Sequence, residues 1–282
     1  MVAAALTMLG TVSPARADDL WKDDYRRASV VETSIVLTIG VASFVGEYTI
    51  KEPQTPRIQR GAAFDDAARN FFRAPGEAGR HRADVISDYG FWGMTAVPFL
   101  DAAATAWGVH KDGDTALQLA IMDAEAFSVT EAVTLLTKLV TARQRPYAYD
   151  AGCPTGGCIA NTSFPSGHTS RSFTGAALMC TTHAYIPMYG GAWDALACAA
   201  SLGAATTTGV MRIVADKHWT TDVLAGAFVG SLSGWLVPTF FHFRAGTKAP
   251  QAAKPGSVRL WPVVAKSADG PDFSLGVGGL FF

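Results

Sequence analysis

The sequence predicts an all-α protein: a bundle of about six core helices, followed by a short tail that resembles a β-hairpin. Three observations lead there. Apolar stretches of helical length recur between residues 33 and 243, separated by short polar connections. Nothing in 282 residues calls for more than one sizeable core. Beyond residue 244 the composition changes, first to an Ala, Pro, Lys and Gly linker, then to two strand-like runs.

Taken in order, residues 1–17 read as an export segment: an apolar run from Val2 to Val12, then Ala15-Arg16-Ala17, a small-x-small cleavage pattern. Thr33 to Gly46 is apolar between Glu32 and Glu47, and short for a membrane span. Lys51 to Asp88 is polar and rich in arginine, with a helix-like stretch at Ala62 to Phe72. Tyr89 to Trp107 is apolar again. Thr115 to Thr141 is a long helix pattern, but it carries Asp123, Glu125 and Glu131, which are costly in lipid. Thr169 to Tyr185, Ala195 to Met211 and Val223 to Phe243 give three more helices, and Val223 to Phe241 has the length and apolarity of a transmembrane segment. Val258 to Ala265 and Phe273 to Phe282 read as two strands around the turn sequence Ser-Ala-Asp-Gly-Pro-Asp.

Composition sets further bounds. Hydrophobic residues make up 49% and charged residues 17% of the chain, more apolar than a typical soluble domain and lean for a mostly bilayer-spanning one. A net charge of -1 argues against nucleic acid as a partner. Cys153 and Cys158 flank Pro-Thr-Gly-Gly, with no second Cys/His pair at ligand spacing, so the expectation is a disulfide and not a metal site. Cys180 and Cys198 fall on apolar helices and read as small core residues.

Three short pieces carry the chemistry. The first is Lys138-Leu-Val-Thr-Ala-Arg-Gln-Arg145-Pro146. Lys138 and Arg145 are seven apart, on one face of a helix that Pro146 should end. The second is Phe164-Pro165-Ser166-Gly167-His168-Thr169, a sharp turn whose amides can point at one anion from a helix N-terminus, with Ser166 as cap or donor. The third is Arg212-Ile-Val-Ala-Asp-Lys-His218-Trp-Thr-Thr-Asp222. His218 and Asp222 are four apart, so the carboxylate can hold one imidazole nitrogen and leave the other unprotonated, as a nucleophile requires. Asp216 and Lys217 read as loop charges beside the site, and His81, His110, His183 and His242 as ordinary core or surface histidines.

The three blocks K-x6-R-P, P-S-G-H and R-x5-H-x3-D, in this order and spacing, resemble the type 2 phosphatidic acid phosphatase (PAP2) superfamily, which includes bacterial class A acid phosphatases and vanadium haloperoxidases. Met211 stands where the family commonly has serine. The resemblance implies a PAP2/haloperoxidase-like helical phosphatase domain over 18–244, after a signal peptide at 1–17 and before a linker and tail at 245–282. It implies catalytic roles for His218 (phosphohistidine nucleophile), Asp222 (its orienting partner) and His168 (general acid). Phosphate binding would fall to Lys138, Arg145, Ser166, Gly167 and Arg212, with no metal and no cofactor, since three cations supply the charge.

The implied activity is hydrolysis of a phosphorylated lipid, isoprenoid or small-molecule ester in the cell envelope, without a metal. Two alternatives are weighed against it: a vanadate-dependent haloperoxidase, and a non-catalytic protein binding phosphate or anionic lipid. Lys and Arg are dense in Lys51–Arg82 and Lys138–Arg171, which would face outward in a six-span topology, against the positive-inside tendency. The sequence therefore favours a bundle exported whole to the periplasm and resting on a membrane, with an integral multi-pass protein as the alternative.

Overall fold

The structure is a computed structural model and describes residues 20–151, 160–245, 258–266 and 273–281. The expected export segment, the Cys153–Cys158 pair and most of the linker lie outside the described residues. Six long helices form the bundle: α1 (Val30–Thr49), α3 (Glu77–Asp101), α4 (Gly113–Thr141), α6 (Gly167–Tyr185), α7 (Ala192–Val214) and α8 (Thr220–Leu236). Two short ones, α2 (Ala63–Phe72) and α5 (Pro146–Ala151), lie in the connections. α3 and α8 each continue into π-helical turns, Ala102–Val109 and Val237–Phe243. The tail forms an antiparallel pair, β1 (Val258–Lys266) with β2 (Phe273–Phe281), Val258 opposite Phe281.

α6 lies at the centre, against α3, α4, α7 and α8. Its approach to α8 needs glycine. A Cβ on Gly226, Gly230 or Gly234 would lie 2.7, 2.0 or 2.6 Å from the backbone oxygens of Ser166, Ser170 and Thr174. The i, i+4, i+8 spacing puts all three glycines on one face, so the two backbones touch along two turns.

Three expectations change here. α4 starts at the Asp112 cap, which accepts from the Thr115 amide at 2.9 Å, but it stops at Thr141, where Ala142 turns left-handed at φ 43°. Arg145 is therefore not on the helix face of Lys138; hydrogen bonds from Gln144 N to Ile58 O (2.8 Å) and from Arg145 N to Ala160 O (2.7 Å) hold it in an extended segment. Cys180 and Cys198 are not free core residues: α6 and α7 bring their Cα atoms to 4.4 Å and the sulfurs are bonded. And α1 is longer than its apolar run, because Val30–Glu32 and Glu47–Thr49 extend the helix at both ends.

Among the described residues, three segments are long and apolar enough to cross a membrane, Val30–Thr49, Ala192–Val214 and Thr220–Phe243. Large apolar side chains such as Val31, Ile35, Trp193 and Phe228 stand exposed on them. The α4 carboxylates that spoke against a span face inward: Glu125 meets His242 Nε2 at 2.8 Å, Glu131 accepts from Arg171 Nε at 2.7 Å, and Asp123 is buried.

Candidate active site

One end of the bundle gathers the C-termini of α4 and α7 and the N-termini of α6 and α8. Lys138, in the last turn of α4, is buried, and its ammonium pairs with Glu47 of α1. A Cβ on Gly167 would sit 3.2 Å from Lys138 Nζ, so the lysine lies against the first residue of α6. Ser166 is the α6 cap, its Oγ accepting from the Thr169 amide and from the Thr169 hydroxyl at 2.9 Å. The Ser166 amide donates to Asp222 O at 3.0 Å, locking the P-S-G-H turn to the start of α8.

His218 is 2% exposed, in the loop between α7 and α8. Its Nδ1 lies 2.8 Å from the Ser163 carbonyl oxygen. A carbonyl can only accept, so Nδ1 carries the proton and Nε2 keeps its lone pair. Nε2 is 3.4 Å from Arg145 Nη1. Burial, then Arg145, Arg212 and Lys138, hold this imidazole well below its usual pKa, so it is neutral.

The expected Asp222–His218 hydrogen bond is absent. Asp222 Oδ2 is 3.7 Å from Nδ1, beyond hydrogen-bond reach. The carboxylate is fully subscribed elsewhere, for a physical reason: it sits three residues past Trp219, where it accepts the Trp219 amide at 2.8 Å as a helix cap. It also accepts from Ser163 Oγ at 2.6 Å and from Arg143 Nη1 at 2.7 Å. Arg143 donates as well to Thr221 Oγ1 at 2.6 Å and to Asp65 Oδ2 at 2.9 Å, with Asp65 and Asp222 both fully buried. The sequence reading passed over Arg143. The only signal for it was a third basic residue in the Lys138–Pro146 segment, and nothing local distinguishes a clamp from a brace. Asp65, distant in sequence, gave no signal at all.

Arg212, in the last turn of α7, donates from Nη1 to Asp84 Oδ1 at 2.6 Å and Ser87 Oγ at 2.9 Å. His168, at the first turn of α6, meets Asp88 Oδ1 at 2.7 Å through Nε2 and lies 4.7 Å from the Phe91 ring centroid. Burial and the cations Arg212, Arg145, Lys138 and Arg171 push it down to about 2. Among the described residues, the buried Nε–H groups of Arg145 and Arg212 have no acceptor, although buried donors are ordinarily paired. Asp216 and Lys217 are the flanking charges expected of them, bound to Arg69 at 2.6 Å and to Asp84 at 3.1 Å. Chemically the cluster offers an unprotonated, buried imidazole nitrogen in contact with Arg145 Nη1, two guanidinium Nε–H groups without an acceptor, and a second imidazole nearby. That set fits a tetrahedral oxyanion.

Residues 122–245, which hold all three motifs, match the family model of the PAP2 superfamily. The family model thereby supports the motif resemblance over this part of the chain. A lipid A 1-phosphatase of Porphyromonas gingivalis is 40% identical over 95 residues, 32% of this chain. The chain spans 19% of that relative's length. The crystal structure of a transmembrane PAP2 type phosphatidylglycerolphosphate phosphatase from Bacillus subtilis covers 75% of this chain and 94% of its own, with a TM-score of 0.48 and 19% identity.

Proposed function

We propose that the protein is a lipid phosphatase of the cell envelope, working at the membrane surface where its helices end. The observation that carries this is the His218 geometry: Nδ1–H given to the Ser163 carbonyl and an unprotonated Nε2 that accepts from Arg145 Nη1. Nε2 attacks phosphorus, the P–N bond forms as the P–O bond to the leaving group breaks, and His168 donates its proton to that oxygen. Water then attacks the phosphohistidine, with His168 taking the proton and the His218–phosphorus bond breaking to release phosphate.

Lys138, Arg145, Arg212, the Ser166 hydroxyl and the Gly167 amide bind the non-bridging oxygens. They supply the charge a metal supplies elsewhere, so turnover needs no metal. Asp222 acts through the Ser163–Trp219–Arg143 frame around the nucleophile. A lipid substrate is supported by the exposed apolar faces of the candidate spans and by the relative's own name, which concerns a lipid-linked phosphate. The same faces support the integral-membrane alternative over a bundle exported whole, and the Cys180–Cys198 bond suits an oxidising compartment. Residues 18–244 form the phosphatase unit, and 245–282 are an appended linker and hairpin.

The test is hydrolysis of p-nitrophenyl phosphate and a short-chain phosphatidic acid in EDTA, by wild type and His218→Ala. Turnover that EDTA spares and the variant lacks supports the mechanism. Activity surviving in the variant would sink it. Bromide oxidation on adding vanadate would favour the haloperoxidase reading, and phosphate binding without turnover the binding one.

A further inference from the structure

α2 is built inside out for a helix facing water. Its buried side chains are Asp65, at 0% exposure, and Arg69, at 7%. Its exposed ones include Phe64 at 51%, Phe71 at 81% and Phe72 at 43%. Phe64 and Phe71 are seven residues apart and share a face with Ala67, while Asp65 and Arg69, four apart, share the opposite one. A surface helix on a water-soluble body has the reverse arrangement.

The buried face is fully committed. Asp65 accepts from the Thr221 amide at 2.8 Å, from the Thr221 hydroxyl at 2.6 Å and from Arg143. Arg69 makes a two-point pair with Asp216, at 2.6 and 2.8 Å. Just beyond the helix, Ala74 N donates to Val214 O at 3.0 Å. Val214 ends one candidate span and Thr220 begins the next. α2 is therefore pinned at the level where two apolar helices end, which for spanning helices is the boundary between headgroups and acyl chains.

We propose that α2 lies in that boundary as an interfacial helix, with Phe64 and Phe71 inserted in the lipid and Asp65 and Arg69 holding the loop that carries His218. A bilayer is the occupant that matches a small aromatic face at the ends of spans. The proposal rests on the membrane reading of α7 and α8 and not on the catalytic assignment.

The experiment places an environment-sensitive fluorophore on a single introduced cysteine in the full-length protein, reconstituted in phosphatidylcholine–phosphatidylglycerol vesicles. Mock-labelled wild type serves as the blank for the native cysteines. The variants are Phe71→Cys, Asp66→Cys and, as a span control, Phe228→Cys, an exposed position of α8. Acyl-chain nitroxide lipids should quench the label at 71 at least about twofold more than at 66, with a blue-shifted emission. Equal, water-like signals at 71 and 66 with strong quenching at 228 would overturn the proposal and leave the spans standing. Water-like signals at all three would overturn it together with the membrane reading. A blue shift at 71 without lipid quenching would overturn it in favour of a second protein copy on that face.

Discussion

At the residue scale, burial first and then the same cations hold both imidazoles neutral. His218 is kept neutral with its proton on Nδ1, the state a nucleophile needs. His168 is pushed down to about 2, which would leave it without the proton a general acid must give. Burial depresses it most and the cations after it; an anion among Lys138, Arg145 and Arg212 offsets the cations' share, so its proton affinity rises when oxyanion binds. Binding should therefore take up a proton near neutral pH, and affinity should fall as pH rises through the His168 pKa of the complex. Titration calorimetry with sulfate, which does not itself titrate there, in buffers of different ionisation enthalpy would show the uptake; His168→Ala should abolish it. The acid role has a second signature. His168→Ala should lose on the order of 10²–10⁴ in kcat with an alkyl phosphate and much less with p-nitrophenyl phosphate, whose leaving group needs little protonation. Equal losses on both substrates would mean His168 does something else. Arg143 binds two buried carboxylates, and Arg143→Ala should cost about 3–5 kcal/mol by denaturant unfolding, since both are left unpaired.

At the element scale, the α6–α8 seam fixes the distance between the turn that presents His168 and the loop that presents His218. Gly230→Ala forces a Cβ to 2.0 Å from a backbone oxygen that cannot swing away, and should cost at least about 1–3 kcal/mol in thermal unfolding. Gly203→Ala in the middle of α7, where a Cβ meets nothing within 4 Å, should instead be neutral or gain about 0.5–1 kcal/mol. Most of these elements were legible in the sequence: the α2, α4 and α6 patterns fall within a few residues of the observed helices, and both tail strands form. The misplacements have local causes. The end of α4 is set by tertiary hydrogen bonds to Ile58 and Ala160, not by Pro146, and α1 extends through Glu32 and Glu47, which an apolar count excludes. The site residues were legible as types at spacings. Their partners were not, because Glu47, Asp65, Asp84 and Asp88 come from helices far away in the chain and follow no local pattern.

At the scale of the whole molecule, the reactive cluster sits at one end of the bundle, while the polar residues of α4 and their partners run through its interior. Glu131 with Arg171, and Glu125 with His242, satisfy one another across helices, so the outer faces can be apolar without burying an unpaired charge. α4 is not among the candidate spans, in keeping with its three carboxylates, and those carboxylates face the interior. The disulfide between α6 and α7 joins two helices that already pack together.

The hold on His218 by the Ser163 carbonyl has a consequence for how the site can change. A main-chain oxygen is encoded by no side chain, so no single substitution can delete it. Variation can weaken the orientation of His218 only by shifting the loop, through Arg143, Asp222 or α2. Searches for inactive relatives that check only the histidine and the aspartate would therefore miss chains in which this loop has lost its footing.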